Sequence, residues 1–340
     1  MTAITDAAIS VRRWNTVSIA ATTGLLAVVA ILAFGPFYFG PYFTDRVTTL
    51  FIYVLLAAMW NALAGYAGLV SVGQQAFFGL GAYAAIRLSH SGLAVYPALT
   101  LAPLLVGILA FALSPLALRL RGGEFAIGMW VFSEIAHLLV NLDGLVQGET
   151  GTSLIALSAL DAGARRAANY WLALAIMTAL VGLVFFLLRS RIGASIQAIR
   201  DNEEAAASLG VRVMATKRLI FVLAAVGCAA AGALTLSTLI SFQPKTYFGV
   251  QWTAYMLFMT LVGGLGTFEG PILGAIIFFV IETLFGGSGV WYLVVLGGSA
   301  LVFSLFLPRG IWGTISARWG LQLMPVGYRL FFHERRSSDA

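Results

Sequence analysis

Apolar runs, most of them roughly 17–25 residues long, recur along this chain between charged or Gly/Pro-rich breaks. They lie near residues 17–35, 47–64, 74–88, 94–118, 124–141, 169–188, 218–240, 251–264, 271–285 and 291–307. The runs lack the period-two alternation of barrel strands, so the pattern predicts helices. The expected fold is all-α: a polytopic membrane helical bundle of about ten spans. The third and eighth runs are short and flanked by glycine, which predicts broken or re-entrant segments there.

Composition removes the soluble alternative. Of 340 residues, 60% are hydrophobic and 10% charged, against about a quarter charged in a soluble domain. Mean hydropathy is +0.93. Lipid solvates such a chain only if every backbone polar group is paired internally. Arg12 and Arg13 precede the first run as they would in a signal peptide. Its length, and Phe34-Gly35-Pro36 in place of a small-x-small cleavage site, predict an uncleaved span instead. The lone Cys228 sits in an apolar run, so no intrachain disulfide forms.

The net charge of +6 concerns topology rather than nucleic acid, because the basic residues flank the apolar runs. A cytoplasmic N-terminus places 1–16, 119–123, 189–217 and the tail after Pro308 inside. Only Arg46, Arg87, Arg165, Arg166 and Lys245 then fall outside or near the outer interface. Both termini are therefore expected in the cytoplasm. The organisation reads as a cytoplasmic segment 1–16, a transmembrane domain 17–307 with the loop 189–217 inserted, and a basic, aromatic tail 308–340. Arg alternates with Trp, Leu and Phe in that tail, which predicts a membrane-surface helix.

The inner loop is the most informative stretch. Asp201-Asn202-Glu203-Glu204 reads as a helix start, with Asp201 as an acidic cap and Glu204 three residues on. The helix runs through Ala205–Leu209 and stops at Gly210, which accepts the left-handed conformation. A short helix over Ala194–Arg200 precedes it. The pair is either a solvated connection or a docking element that offers Ile196, Ile199, Ala206 and Leu209 to a groove on a partner. Two glycine-rich segments also stand out. In Asn61–Ala85, Gly65, Gly68, Gly73, Gly79 and Gly81 surround Ser71, Gln74 and Gln75. Such an interruption is tolerated where the segment is buried in protein or lines a cavity. It is either a packing seam or part of a pathway, with the polar Ser71 and Gln74 the better pathway candidates. Leu261–Phe278 repeats the theme, with Gly264-Leu265 echoing Gly68-Leu69 as a weak internal repeat.

Four stretches carry a resemblance: GYAGLVSVGQQAFFGLGAY, RGGEFAIGMWVFSEI, the loop IRDNEEAAASLGVRV and VGGLGTFEGPILGA. Together they resemble the membrane permeases of branched-chain amino acid ABC importers, of the LivM type. The resemblance extends over roughly residues 55–285. It implies a bacterial inner-membrane permease subunit that moves branched-chain amino acids or a related small polar solute into the cytoplasm. The implied partners are a second, homologous permease, two ABC ATPases and a periplasmic solute-binding protein. The implied coupling residues are Arg200, Glu203, Glu204, Ala205, Ala206, Leu209 and Gly210; the pathway residues are Gly65, Gly68, Ser71, Gly73, Gln74 and Glu134. The outer loop LDGLVQGETGTSL departs from the doubly glycinated, Asp-Gly-containing pattern of such permeases, which leaves the solute open.

Chemistry of other kinds is poorly represented. Lys217 and Lys245 are the two lysines and neither follows glycine, so there is no P-loop, and ATP is expected on partner subunits. No nucleophile–base pair or metal-ligand cluster points to an enzyme, and no cofactor or metal is expected. Glu134 and His137 share a helix face and are either a packing pair or part of a pathway. With Glu282 they also allow an alternative, an ion- or proton-driven secondary transporter with these three as relay residues. Glu269, in the second glycine-rich turn, is expected to be solvated.

Overall fold

The computed structural model describes residues 8–12, 16–320, 323–327 and 329–333. Every apolar run forms a helix. In chain order these are α1 (Thr16–Ala33), α2 (Pro41–Asn61, continued by a π-helical turn Ala62–Tyr66), α3 (Gln75–His90), α4 (Val95–Ala117), α5 (Gly122–Asn141) and α6 (Ala162–Arg189). Two short helices, α7 (Arg191–Asp201) and α8 (Glu203–Ser208), occupy the basic loop. Then come α9 (Val213–Leu239), α10 (Gln251–Gly263), α11 (Gly270–Phe285), α12 (Val290–Phe306) and α13 (Gly310–Trp319). The helices α2, α4, α5, α6 and α9 are long and apolar enough to cross a bilayer, and shorter apolar helices accompany them. The expected breaks fall on α3 and α10, with 16 and 13 residues. At 1.5 Å per residue they reach about 24 and 20 Å, short of the ~30 Å hydrocarbon core.

Side-chain size explains who sits in the middle. The run Gly227–Ala233 of α9 is made of small residues and is buried throughout. Its backbone can therefore approach a neighbour closely: Gly81 of α3 lies against the Ala229 carbonyl and Gly232 against the Phe78 carbonyl. Cys228 is one of these small buried residues. Trp60, Phe77, Phe78, Phe221, Phe258 and Phe278 fill the space around α2 and α9. The outer faces of α4 and α6 present Ile108, Phe111, Leu183 and Phe186 outward. That apolar surface is acceptable only because lipid, not water, meets it.

The long loop 142–168 is folded down onto the helix ends opposite the basic loop. Its strand β2 (Thr152–Ser153) pairs antiparallel with β3 (Ser241–Phe242), and Val146, Leu154 and Leu157 are buried beneath it. Asp143 accepts from the Tyr83 hydroxyl at 2.5 Å and from Arg87. Glu149 accepts from Asn141 Nδ2 and from the Lys245 backbone N–H, and His137 Nε2 lies 2.8 Å away. Asp161 caps α6 by accepting from the Gly163 and Ala164 N–H groups.

The tail differs from expectation. It forms the ten-residue α13, not one long surface helix, and Gly310 seats against Gly264 at the basic end. Further on, β4 (Arg329–His333) pairs antiparallel with β1 (Ala8–Arg12), which brings the two ends of the chain together. The remainder of the expected cytoplasmic segments, 1–7, 13–15, 321–322, 328 and 334–340, lies outside the described residues.

The carboxylates of the folded loop set its pH response. Asp143 is held below the ordinary carboxylate range first by the Tyr83 hydrogen bond. Asp161 is lowered by the Ala164 and Gly163 N–H groups. For Glu149 partial burial pushes upward, but hydrogen bonds from Asn141 and the Lys245 backbone, and His137, outweigh it. Depressed folded values mean the stabilisation is complete above the unfolded carboxylate range of about 3.9–4.3 and drains away as pH falls through the folded values. Proteolysis within 142–168 is accordingly expected to stay constant from about pH 8 to 5 and to rise below about pH 4. Constant protection down to about pH 2 would show that apolar burial alone holds the loop.

Candidate functional site

The two short helices of the basic loop are capped at their backbone ends. Ser190 starts α7 by accepting from the Ile192 N–H at 3.1 Å. Asn202 starts α8, its Oδ1 accepting from the Ala205 N–H at 2.9 Å. This corrects the cap assignment: α7 continues through Asp201, whose carboxylate instead pairs with Arg200 at 2.8 Å. The extended backbone of Asn202, φ −159°, puts its side chain over the first turn of α8. At the other end the Gly210 and Val211 N–H groups donate to the Ala207 and Ala206 carbonyls, with Gly210 at φ +84°. This is the Schellman closure, and the left-handed position favours glycine.

Burial sorts the coupling candidates into two groups. Ile196, Ile199 and Ala206 pack inward and seat the hairpin on its own chain, so they offer no outward knobs. Glu204, Ala205, Ala207 and Ser208 face outward, and Leu209 is 85% exposed. Glu203 reaches back to Lys217 Nζ at 2.6 Å and ties α8 to α9. The Lys217 side chain is 8% exposed, that of Glu203 35%. Sequence reasoning gave Lys217 no role; its only signal was a lysine at the foot of an apolar run.

Arg200 points the other way, into the membrane domain. Its Nη1 donates to the Gly65 carbonyl at 3.1 Å, and its aliphatic stem lies against Gly68. Here the two glycine-rich segments meet. Asn61 Nδ2 donates to the Thr267 carbonyl and Asn61 Oδ1 accepts from the Gly266 N–H, each at 2.8 Å. Past Tyr66 the chain leaves the helix and runs through residues 67–74 to the start of α3. The Trp60 indole N–H donates to the Ser71 carbonyl at 3.0 Å, and the Leu69 N–H to the Leu63 carbonyl. Gly73 presses on the backbone of α5 so closely that an added Cβ would overlap the Met129 carbonyl. Ser71, Gln74 and Gln75 are fully buried, and Thr253 Oγ1 donates to Gln75 Oε1. Asn61, Trp60 and Thr253 were not singled out from sequence, although Asn61 is a polar residue closing an apolar run.

Glu134 stands apart from this network. Its side chain is 55% exposed on the outer face of α5, with His137 Nδ1 at 3.6 Å. Glu282 is held by Arg46 at 3.3 Å. The three groups considered for an ion relay thus occupy two separate ion-paired clusters. Glu269 is not free in solvent: it accepts from Trp312 Nε1 and from the Met324 N–H, which fixes the tail to the second glycine-rich turn.

Comparison with known proteins shows the family. Residues 42–305 match the family described as the branched-chain amino acid transport system / permease component. The chain belongs to that permease family. Two relatives are the high-affinity branched-chain amino acid transport system permease proteins LivM of Salmonella typhimurium and Escherichia coli. Each is 27% identical over 314 residues, covering 84% of this chain and 74% of the relative. No solved structure matches. As a member of the family the chain is a transport subunit rather than an enzyme, and a multi-pass inner-membrane protein.

The Glu203–Lys217 pair gives an asymmetric prediction for this permease. Glu203→Ala strands a buried ammonium, whereas Lys217→Met leaves a carboxylate that water still reaches. Thermal melting in detergent should show Glu203→Ala destabilised by about 1–3 kcal/mol more than Lys217→Met. Equal losses would place the pair in solvent.

Proposed function

We propose that the chain is the LivM-like half of the pore of an ATP-driven importer for branched-chain amino acids or a related small polar solute. The observation that carries this reading is the hairpin α7–α8: capped at both ends, seated by buried Ile196 and Ile199, and presenting Leu209 outward from the basic end. A mere connection has no need of such closure, whereas a lever pressed by a moving partner does. The partners in this reading are a homologous second permease, two ABC ATPases and a periplasmic binding protein. ATP binds to the ATPases, and no nucleic acid takes part. Glu204, Ala205, Leu209 and Gly210 form the contact surface; Glu203, Ala206 and Arg200 fix it to the membrane domain. Closure of the ATPases on ATP biases the two halves between outward and inward states.

The pathway runs along Gly65, Gly68, Ser71, Gly73, Gln74 and the Glu134 face of α5. Two observations support this. Neither amide atom of the buried Gln74 has a hydrogen-bond partner among the described residues, at a cost of about 1–3 kcal/mol that packing alone does not explain. A half-exposed carboxylate at membrane depth is poorly tolerated by lipid, so Glu134 faces water or the second half.

The test is uptake of labelled leucine by the assembled complex with ATP and no ion gradient. Gly210→Val should reduce ATP-dependent uptake at least about tenfold, because a β-branched residue resists the left-handed cap. Full uptake in that variant, or uptake driven only by an ion gradient, overturns the reading. Orientation is tested separately: a cysteine at Gly163 should react with impermeant reagent from outside the cell and one at Asn202 only from the cytosol. The reverse labelling would invert both the topology and the assigned ATPase face.

A further inference from the structure

We infer that Asn61, acting with Arg200, is the positioning residue that carries movement of the α7–α8 hairpin into the broken segment of the membrane. The inference rests on the proposed coupling role of that hairpin. It extends that role to a residue buried in the bundle and to a specific route.

The route is continuous in hydrogen bonds. Arg200 Nη1 holds the Gly65 carbonyl, inside the π-helical turn Ala62–Tyr66 that ends α2. π-Helical turns are rare and are frequent at functional sites, and in this route the turn is the element with two arrangements. Asn61 is the last α-helical residue before it and is 3% exposed. Its amide spends both a donor and an acceptor on the second glycine-rich turn, at Thr267 and Gly266. Its neighbour Trp60 holds the Ser71 carbonyl of the first broken segment. Residues 60 and 61, one beside the other, thus hold the two interruptions of the bundle, and Arg200 holds the turn that follows them.

The geometry favours transmission over simple anchoring. An anchor for the loop already exists in the Glu203–Lys217 pair and in buried Ile196 and Ile199. Arg200 adds a bond that ends on the membrane break and nowhere else in the membrane domain that the described contacts show. Its guanidinium is also held by Asp201, through Nε and Nη2 to one carboxylate oxygen. The fork is therefore aimed before it meets Gly65, and a shift of α7 displaces the turn rather than rotating the side chain.

Thiol reactivity of the purified full-length chain tests this without partners. Ser71→Cys serves as reporter, since Ser71 and the native Cys228 are both fully buried and should react slowly with N-ethylmaleimide. Arg200→Leu, and separately Asn61→Leu, should raise the labelling rate about tenfold, the scale of one lost hydrogen bond. Arg200→Lys, which keeps a donor, should restore most of the protection. The double variant should label no faster than about the faster single variant, because residues in one network are not additive. If Arg200 merely anchors the loop, Arg200→Leu leaves the Ser71→Cys rate unchanged, and the inference falls. It falls also if the two effects multiply. Should Asn61→Leu not insert, Arg200→Leu on a partly exposed side chain decides alone. Failure of the proposed importer function would appear as absent ATP-driven uptake and would leave these rates unaffected.

Discussion

At membrane depth there is no water to satisfy a backbone amide or carbonyl, so each place where a helix breaks must find its partners inside the protein. In this permease the requirement is concentrated between Tyr66 and Gln75. Eight residues leave helical geometry there. Their backbone is held by Leu63 and Trp60, Gly73 presses on the α5 backbone, Gly68 lies against Arg200, and Gln75 is met by Thr253. Unpaired, each such group would cost several kcal/mol in hydrocarbon. The small-residue surface of α9 takes α3, the helix that follows the break, in close backbone contact.

Enclosure also explains why the basic loop is connected as it is. A capped hairpin resting on the surface of the bundle would transmit force only through packing. Arg200 instead ends on the carbonyl of Gly65, and Asn61 joins the same turn to the α10–α11 turn. The basic end thus bonds both to the interruption, through Arg200, and to the regular helix α9, through the Glu203–Lys217 pair. The opposite end is built differently. There, Asp143, Glu149 and Asp161 bind a long loop by charge-assisted hydrogen bonds near solvent, where each contact is weak and pH-sensitive.

Much of this was legible in the sequence, and the reasons are physical. Spans could be placed because a bilayer of fixed thickness demands long apolar runs, and α1 to α6 and α9 to α12 fall where those runs were. The short third and eighth runs announced the breaks, since glycine next to an undersized apolar run leaves too little helix to cross. Gly210 was readable as a helix stop because few other residues take a left-handed cap cheaply. The family followed from ordered stretches extending over most of the chain.

Tertiary structure decided what pairs with what. Nothing in the spacing of Asn61 and Gly266, some 205 positions apart, announces their hydrogen bond. Nor does composition tell that Ile196 and Ala206 pack inward while Leu209 points out. Asp201 looked like the cap from its charge, yet the cap fell to Asn202, because α7 runs one residue further and only the extended residue can turn its side chain over the next helix. Glu269 looked solvated until the tail folded back to donate to it. Local pattern thus fixed where the chain is helical, broken or capped, because those are properties of neighbouring residues in a given solvent. The clasp at the break, the inward and outward faces of the hairpin and the seat of the tail depend on residues distant in sequence, and only the packed bundle brings those together.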